Sequence, residues 1–388
     1  MMTRNASDCL LCHLTGLFGD QRQKEYDDWL LQKIEQTKGL AFPAVHFSEL
    51  HSGLNILSMW REKEKWQSLI DYRNRFDVLQ INATDPTDTQ LVDFLQWNQR
   101  LETPFHIFIV LSVQAVKEDT SVTIEESYLH LRQMIETVFS VCQLPVAAIS
   151  FENDDYLWKE SPEPKTIEPR NHYLLRHIRS AMDRIGAQQT LFIHSQGGFK
   201  DVNDYFSDGN NEIQLAGSVE LNAAMVKCLQ EGNTESLVGI TSQFHLNSLE
   251  TAYFHTLSNI DIFSDEQREF VHLAMLSLTG FPVLNVDLAS IEPLQKMLDL
   301  RMKHDAFHVH GAQIQLGCHT QIWAIQRYSM DMSQSLLCLA NFSSDDQKIL
   351  LGEDDLVTDE CWKDVFTGEE FVTGQHWTLK PYQVLVLI

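Results

Sequence analysis

Eight apolar runs of strand length alternate with helix-length amphipathic patterns over most of this chain, and that rhythm restricts the fold more than any other feature. The runs are Leu40–Phe47, Phe76–Ile81, Phe105–Val113, Val146–Phe151, Thr190–His194, Glu212–Val219, Ala252–Leu257 and Pro282–Val286. Helical patterns at about Glu62–Tyr72, Asp88–Arg100, Ile124–Val141, His172–Ile185, Leu221–Glu231 and Asp265–Thr279 separate them. In the pattern from His172, Leu174, Leu175, Ile178, Met182 and Ile185 share one face while Arg176, Arg179 and Arg184 point elsewhere, as an amphipathic helix requires. Strands alternating with helices predict a parallel sheet, and eight repeats close most economically into a (β/α)8 TIM-type barrel. The same alternation permits an open doubly wound sheet, which normally carries a glycine-rich phosphate loop after an early strand; the sequence has no such loop.

The last part of the chain changes character. Ile322–Arg327, Leu336–Asn341, Lys348–Leu351, Glu370–Val372 and Val384–Ile388 are short apolar runs between turn residues, without helical periodicity. They predict a C-terminal antiparallel β-sandwich. The expected division is a barrel over residues 1–303 and a sandwich over residues 304–388.

A net charge of −25 disfavours nucleic acid and anionic membrane as partners, because both are polyanions. No run approaches the ~20 consecutive apolar residues of a membrane helix, and the first residues lack the apolar core of a signal peptide. Seven scattered cysteines fit a reducing compartment better than a disulfide framework. A cytoplasmic protein is the expectation. Cys9 and Cys12, with His13 adjacent, have metal-like spacing, but a zinc site needs a second ligand pair and none follows; no metal or other cofactor is expected.

The segment Ser150-Phe151-Glu152-Asn153-Asp154-Asp155-Tyr156-Leu157-Trp158-Lys159 resembles the fourth strand of the sucrose-phosphorylase-like branch of glycoside hydrolase family 13, the α-amylase family. That branch reads Arg-Leu-Asp-Ala-Ile-Ala-Tyr-Leu-Trp-Lys, with the nucleophile as its aspartate. Further matches follow in order. Leu191-Phe192-Ile193-His194-Ser195-Gln196 is similar to the family's Leu-Leu-Thr-Glu-Thr-Asn strand, and Asp204 to Gly209 to its Tyr-Phe-Gly-Asp-Gly turn. Thr279-Gly280-Phe281-Pro282 resembles Pro-Gly-Ile-Pro, and Leu300 to His308 resembles Leu-Arg-X-X-His-Pro-Ala-Phe-His. Leu337 to Phe342 and Pro381 to Leu385 are similar to its C-terminal sandwich. The resemblance implies a pared-down barrel, because the segment between the third and fourth strands leaves no room for the small domain that full members insert there.

Family members need a nucleophilic carboxylate and a carboxylic acid facing each other at about 5–5.5 Å, on the C-terminal face of the barrel. The resemblance puts Glu152 at the nucleophile, His194 at the general acid and Asp261 at a third, sugar-binding carboxylate. Tyr156 and Trp158 are the expected substrate-binding residues, since aromatic rings stack on sugar faces. Each catalytic position is altered or stripped of support. The extra methylene of Glu152 moves its oxygen by over ~1 Å, and such a misplacement can cost on the order of 100-fold. Ser150 stands where the family has the arginine that would hold the carboxylate ionised, and a serine brings no charge and no fork of donors. Histidine can donate a proton, but His194 would have to reach as far as a glutamate. Ile260 replaces the sugar-binding histidine ahead of Asp261. Val110, Gln114 and Ala115 replace the polar residues of the third strand.

The leading reading is a catalytically degenerate member that works by binding a sugar ligand or a protein partner. The alternative is an active α-glucosyl-transferring phosphorylase or glycoside hydrolase using Glu152, His194 and Asp261; a plain interaction scaffold is the third. Two rival sites are weaker. His194-Ser195-Gln196-Gly197-Gly198 resembles the nucleophile elbow of lipases, but Ile193 fills the place where that strained turn needs a residue without a side chain, and the segment after Gly198 reads as a loop. His304, His308, His310 and His319 match no zinc spacing and read as packing or surface residues.

Overall fold

The expected alternation is present in the computed structural model, which describes residues 20–39, 50–113, 116–117, 123–152, 158–159, 169–195, 199–206, 212–244, 251–258, 260–317, 319–351 and 361–388. Helix α1 (Asp20–Thr37) leads to β1 (Gly53–Leu57), α2 (Trp66–Leu69), β2 (Val78–Ala83), α3 (Thr89–Gln99), β3 (His106–Leu111) and β4 (Val116–Lys117). Then come α4 (Ile124–Cys142), β5 (Ala148–Phe151), β6 (Trp158–Lys159), α5 (Pro169–Ile185), β7 (Thr190–Ser195), α6 (Phe199–Phe206), β8 (Leu215–Ser218), α7 (Val219–Glu231) and α8 (Glu235–Thr241). The barrel elements end with β9 (Ala252–His255), α9 (Asp265–Ser277), β10 (Phe281–Asn285) and α10 (Glu292–Arg301). Eight strands close into a barrel in the order β1, β10, β9, β8, β7, β5, β3, β2.

Three sequence expectations are corrected. The first barrel strand is β1, not Leu40–Phe47, a run that lies outside the described residues; Gly53 and Asn55 are poor strand formers and hide β1 from a reading by propensity. The segment after Gly198 is helical, because Phe199, Val202, Tyr205 and Phe206 recur at helical spacing, and Val202 and Tyr205 are fully buried. Helix Glu62–Tyr72 is present only as a single α-turn, α2, flanked by 3-10 turns.

Local chemistry explains where the helices start. Thr123 and Glu126 form a reciprocal capping box on α4, as do Ser264 and Gln267 on α9, each pair satisfying two otherwise orphaned backbone N–H groups. Asp88 caps α3 by accepting from the Gln90 N–H. Among the described residues, the stretch between β3 and β5 holds only β4 and α4.

The C-terminal strands are β11 (Ala312–Leu316), β12 (Ile322–Tyr328), β13 (Ser335–Asn341), β14 (Gln347–Leu350), β15 (Cys361–Lys363), β16 (Glu370–Val372), β17 (His376–Leu379) and β18 (Val384–Leu387). Strands β11, β12, β13 and β18 form an antiparallel sheet, and β14 pairs with β17 and β15 with β16. Ile322, Ala324, Leu337, Leu339, Leu385 and Leu387 of the larger sheet share one core with Ile349, Trp362, Phe371, Trp377 and Leu379 of the two pairs. Apolar faces packed in this way make a sandwich.

Contacts group the chain into two compact units: residues 1–46, 55–73 and 78–217, and residues 47–54, 74–77 and 218–388. In the first, α1 buries Tyr26, Leu30 and Ile34, and the Tyr26 hydroxyl lies 2.6 Å from Nε2 of His177 on α5. In the second, Gly280 has φ +104°, and a Cβ there would lie 2.7 Å from the Tyr253 carbonyl oxygen and 2.8 Å from Nε2 of His255. Only glycine fits, which accounts for its place in the Thr279-Gly280-Phe281-Pro282 run.

Candidate functional site

Strand alternation in the first unit sorts the side chains into two sets. Leu79, Ile81, Ala83, Ile107, Ile109, Leu111, Ile149 and Phe151 are all buried to within 2%. The other set grades from buried to exposed along each strand: Val78, Gln80, Asn82 on β2; Phe108, Val110 and then Ser112 on β3; Ala148, Ser150 and then Glu152 on β5. Phe108 and Phe192, on strands two apart, have ring centroids 5.4 Å from each other. Strands two apart are separated by roughly 9–10 Å, so rings that meet across the small Ala148 must stand on the concave face. The graded set therefore lines the lumen, and its exposed ends mark the mouth at the C-terminal ends of the strands.

At that mouth the ladder continues one step past the strands. The Ser112 N–H donates to the Ala83 carbonyl at 3.2 Å, and the Glu152 N–H to the Leu111 carbonyl at 2.8 Å. Both residues thus leave the sheet with fixed backbones. The Ser112 hydroxyl donates to Oε2 of Glu152, and Ser112 is the side-chain partner of that carboxylate among the described residues. Ser150 is 2% exposed, so no cation comes from the place where the family has its arginine. Asn82 is exposed, and its carbonyl accepts from Nε1 of the buried Trp60 at 3.0 Å. Arg61 stacks 4.3 Å over the Trp60 ring and is paired with Asp88 at 3.1 Å.

His194 is a residue of β7, near its C-terminal end; its side chain lies outside the described set. Tyr156 also lies outside it. Trp158 is on β6, which pairs in parallel with β4 through Val116 and Lys117, so this part of the Tyr-Leu-Trp-Lys run forms a short strand beyond the barrel sheet.

Asp261 belongs to the second unit, in the loop between β9 and α9. Its side chain is 92% exposed and lies 3.5 Å from Arg268, which also pairs with Asp265. Ile260 is buried. The N-cap of α9 is Ser264, so Asp261 does not cap the helix. Of the three expected catalytic positions, Glu152 and His194 fall in one unit and Asp261 in the other, each at or beyond the C-terminal end of its strand.

The histidines of the C-terminal region serve the backbone. His304 Nδ1 accepts from the Ala306 N–H, His308 Nδ1 from the His310 N–H, and His319 Nδ1 from the Gln321 N–H. His310 Nε2 donates to the Thr251 carbonyl at 2.8 Å. Among the described residues no three His, Cys, Asp or Glu side chains are arranged to hold a metal ion, and no helix is long and apolar enough to cross a membrane.

Sequence reasoning missed Ser112, which it read as part of a strand. Its role depends on the register of β3 against β5 (Leu111 beside Phe151), and no local motif announces that pairing.

No protein-family model matches the chain, and no curated protein sequence matches it. Solved structures do. The α-amylase of Geobacillus thermoleovorans, complexed with acarbose, superposes with a TM-score of 0.66 at 9% identity, over 89% of this chain and 99% of that chain. Trehalose-6-phosphate hydrolase (TreA) of Bacillus licheniformis gives 0.65 at 11% identity, over 89% and 99%. The noncanonic maltogenic α-amylase AmyB of Thermotoga neapolitana gives 0.64 at 12% identity, over 88% and 99%. The chain has the fold of the family 13 glycoside hydrolases, a closed parallel barrel with antiparallel sheets C-terminal to it.

Proposed function

We propose that this protein is a sugar-binding, catalytically degenerate relative of the sucrose-phosphorylase-like glycoside hydrolases. The observation that carries the reading is the setting of Glu152: a carboxylate at the end of the fourth barrel strand whose partner is the neutral Ser112 hydroxyl, with Ser150 buried behind it. A retaining glycosidase stabilises an ionised nucleophile and a positive, oxocarbenium-like transition state. Removing the guanidinium that would orient the nucleophile forfeits charge-assisted bonds about twice as strong as neutral ones. A carboxylate beside the Ser112 hydroxyl still suits sugar hydroxyls, which donate and accept neutral hydrogen bonds. The acarbose complex of the Geobacillus α-amylase supports a sugar as the ligand class for this fold.

In this reading residues 1–303 carry the ligand and residues 304–388 stabilise the barrel. Three described cysteines are free and buried; burial pushes the thiols of Cys142 up to about 12 and of Cys228 and Cys338 up to about 11, so these three stay unreactive in the cytoplasmic setting we propose.

Titration calorimetry with sucrose and with maltose tests the reading. The expected result is saturable heat for at least one of them, with affinity falling at least ~10-fold, or ~1.4 kcal/mol, in Glu152→Gln. No saturable heat with either sugar would favour the plain scaffold instead.

A further inference from the structure

We propose that Ser112 is the residue that positions Glu152, and that the two together recognise adjacent hydroxyls of a neutral, unphosphorylated sugar. The proposal rests on the sugar-binding reading above and extends it to a second residue and a ligand class. Ser112 and Glu152 lie side by side because β3 and β5 pair with Leu111 opposite Phe151. Their backbones are tied to Ala83 and Leu111, so the approach of the two side chains is set by the sheet and not by a mobile loop. Both are exposed, at the open end of the lumen-facing set.

The hydrogen-bond inventory then fixes what the pair can bind. The serine hydroxyl has one proton, given to Oε2 of Glu152. What remains outward is acceptor capacity: the lone pairs of the serine oxygen and the unused lone pairs of the carboxylate. Two neighbouring acceptors match two neighbouring hydroxyl donors, the arrangement a pyranose or furanose vicinal diol offers. Asn82, exposed on β2, carries an amide that can donate to a third ligand oxygen. A phosphate or carboxylate brings only acceptors and a negative charge, and it would face the Glu152 carboxylate unpaired. On the loop after β1, Arg61 pairs with Asp88 and Lys65 with Glu62. The electrostatics thus select a neutral sugar over its phosphate ester. Without Ser112, the carboxylate has no described side chain to hold it in one rotamer, and the ordering cost falls on the ligand.

A double-mutant cycle on the full chain, read by titration calorimetry with sucrose, tests this. Ser112→Ala is expected to weaken binding ~10-fold with an unchanged melting temperature, and Ser112→Thr, which keeps the hydroxyl, to stay within about threefold of wild type. Because part of the Ser112 effect runs through Glu152, Ser112→Ala should weaken binding by a smaller factor in the Glu152→Gln background than in the wild type. Glucose should bind more tightly than glucose 6-phosphate. Wild-type affinity in Ser112→Ala, or losses that multiply in the double variant, would overturn the positioning role while leaving sugar binding intact. Tighter binding of glucose 6-phosphate would overturn the neutral-sugar assignment. No saturable heat from the wild type would overturn both the proposal and the reading beneath it.

Discussion

Arg327→Met is expected to destabilise the second unit by ~3 kcal/mol, a fall of roughly 6–12 °C in its melting midpoint. Arg327 is fully buried on β12 and has no carboxylate partner among the described residues. Its guanidinium donates instead to the carbonyls of Ser277 (3.2 Å), Leu278 (2.6 Å) and His308 (3.0 Å). Arg301, also buried, donates to Leu276 (2.6 Å), Leu278 (3.3 Å) and Gly280 (2.9 Å). All of these carbonyls except that of His308 belong to the C-terminus of α9 and the turn after it, where a helix leaves up to four carbonyls without intrahelical donors and presents its negative end. Two cations therefore stand in for a cap. Both lie near the Phe307 ring, at 5.1 and 5.4 Å.

Burial pulls the Arg327 pKa down to about 10, and it pulls Arg301 well below its ordinary value, with repulsion from Arg327 adding to the effect. Replacement by methionine strands buried carbonyls, each costing ~1–3 kcal/mol; relief of the repulsion between the two guanidiniums offsets part of that. Arg327→Lys should lose most of the stability too, since one ammonium cannot span carbonyls on both sides. Denaturant melts of the variants check this. A midpoint for Arg327→Met equal to wild type would show that the guanidinium contributes nothing net.

Acidification from pH 7 to 4.5 is expected to weaken the fold through buried histidines. His177, beside Tyr26, and His255 are both held neutral by burial, with pKa values pushed down to about 4 from 6.5. Nε2 of His255 is 2.6 Å from the Thr279 carbonyl; a carbonyl only accepts, so Nε2 carries the proton. Its buried Nδ1 has no hydrogen-bond partner among the described residues, and protonation there would add a buried cation near Arg301 and Arg327. The unfolded chain binds these protons near pH 6.5 and the folded chain only near 4. Stability is therefore full above about 6.5 and is lost as pH falls toward about 4, at up to ~3 kcal/mol for each group. His272, His304 and His310 are shifted the same way by burial. Asp331, pulled down to about 2 by Ser329 and Ser333, loses its contribution only at lower pH. In the double variant His177→Gln/His255→Gln the fall between pH 7 and 4.5 should be distinctly shallower. An unchanged slope would assign the acid lability elsewhere.

Much of this could be read from the sequence because the signals were local. Apolar runs such as Val146–Phe151 and Thr190–His194 announced β5 and β7, and the helical pattern Asp265–Thr279 announced α9. What escaped depends on distant partners. A serine after β3 gains meaning only beside Glu152. Arg301 and Arg327 look like surface charges until α9 ends against them. Helix α1 carries a thin stripe of Tyr26, Leu30 and Ile34 among polar residues, too sparse to stand out without the α5 surface that covers it. Of the expected site, Glu152, His194 and Asp261 were assigned by resemblance. The sequence also showed Ser150 in place of the arginine before Glu152, but not the Ser112 hydroxyl that the carboxylate meets instead.

In the function we propose, the barrel keeps the fold of a glycosyl-transferring enzyme without its chemistry. Transition-state stabilisation by groups that act as a unit is strongly non-additive, so one surviving carboxylate recovers little. The direct measurement is incubation of the purified protein with sucrose and inorganic phosphate, and separately with maltose, followed by assay of glucose 1-phosphate and free glucose. The account predicts no product above a protein-free blank. Turnover that disappears in Glu152→Gln would contradict it and identify the chain as an active enzyme using Glu152 as its nucleophile.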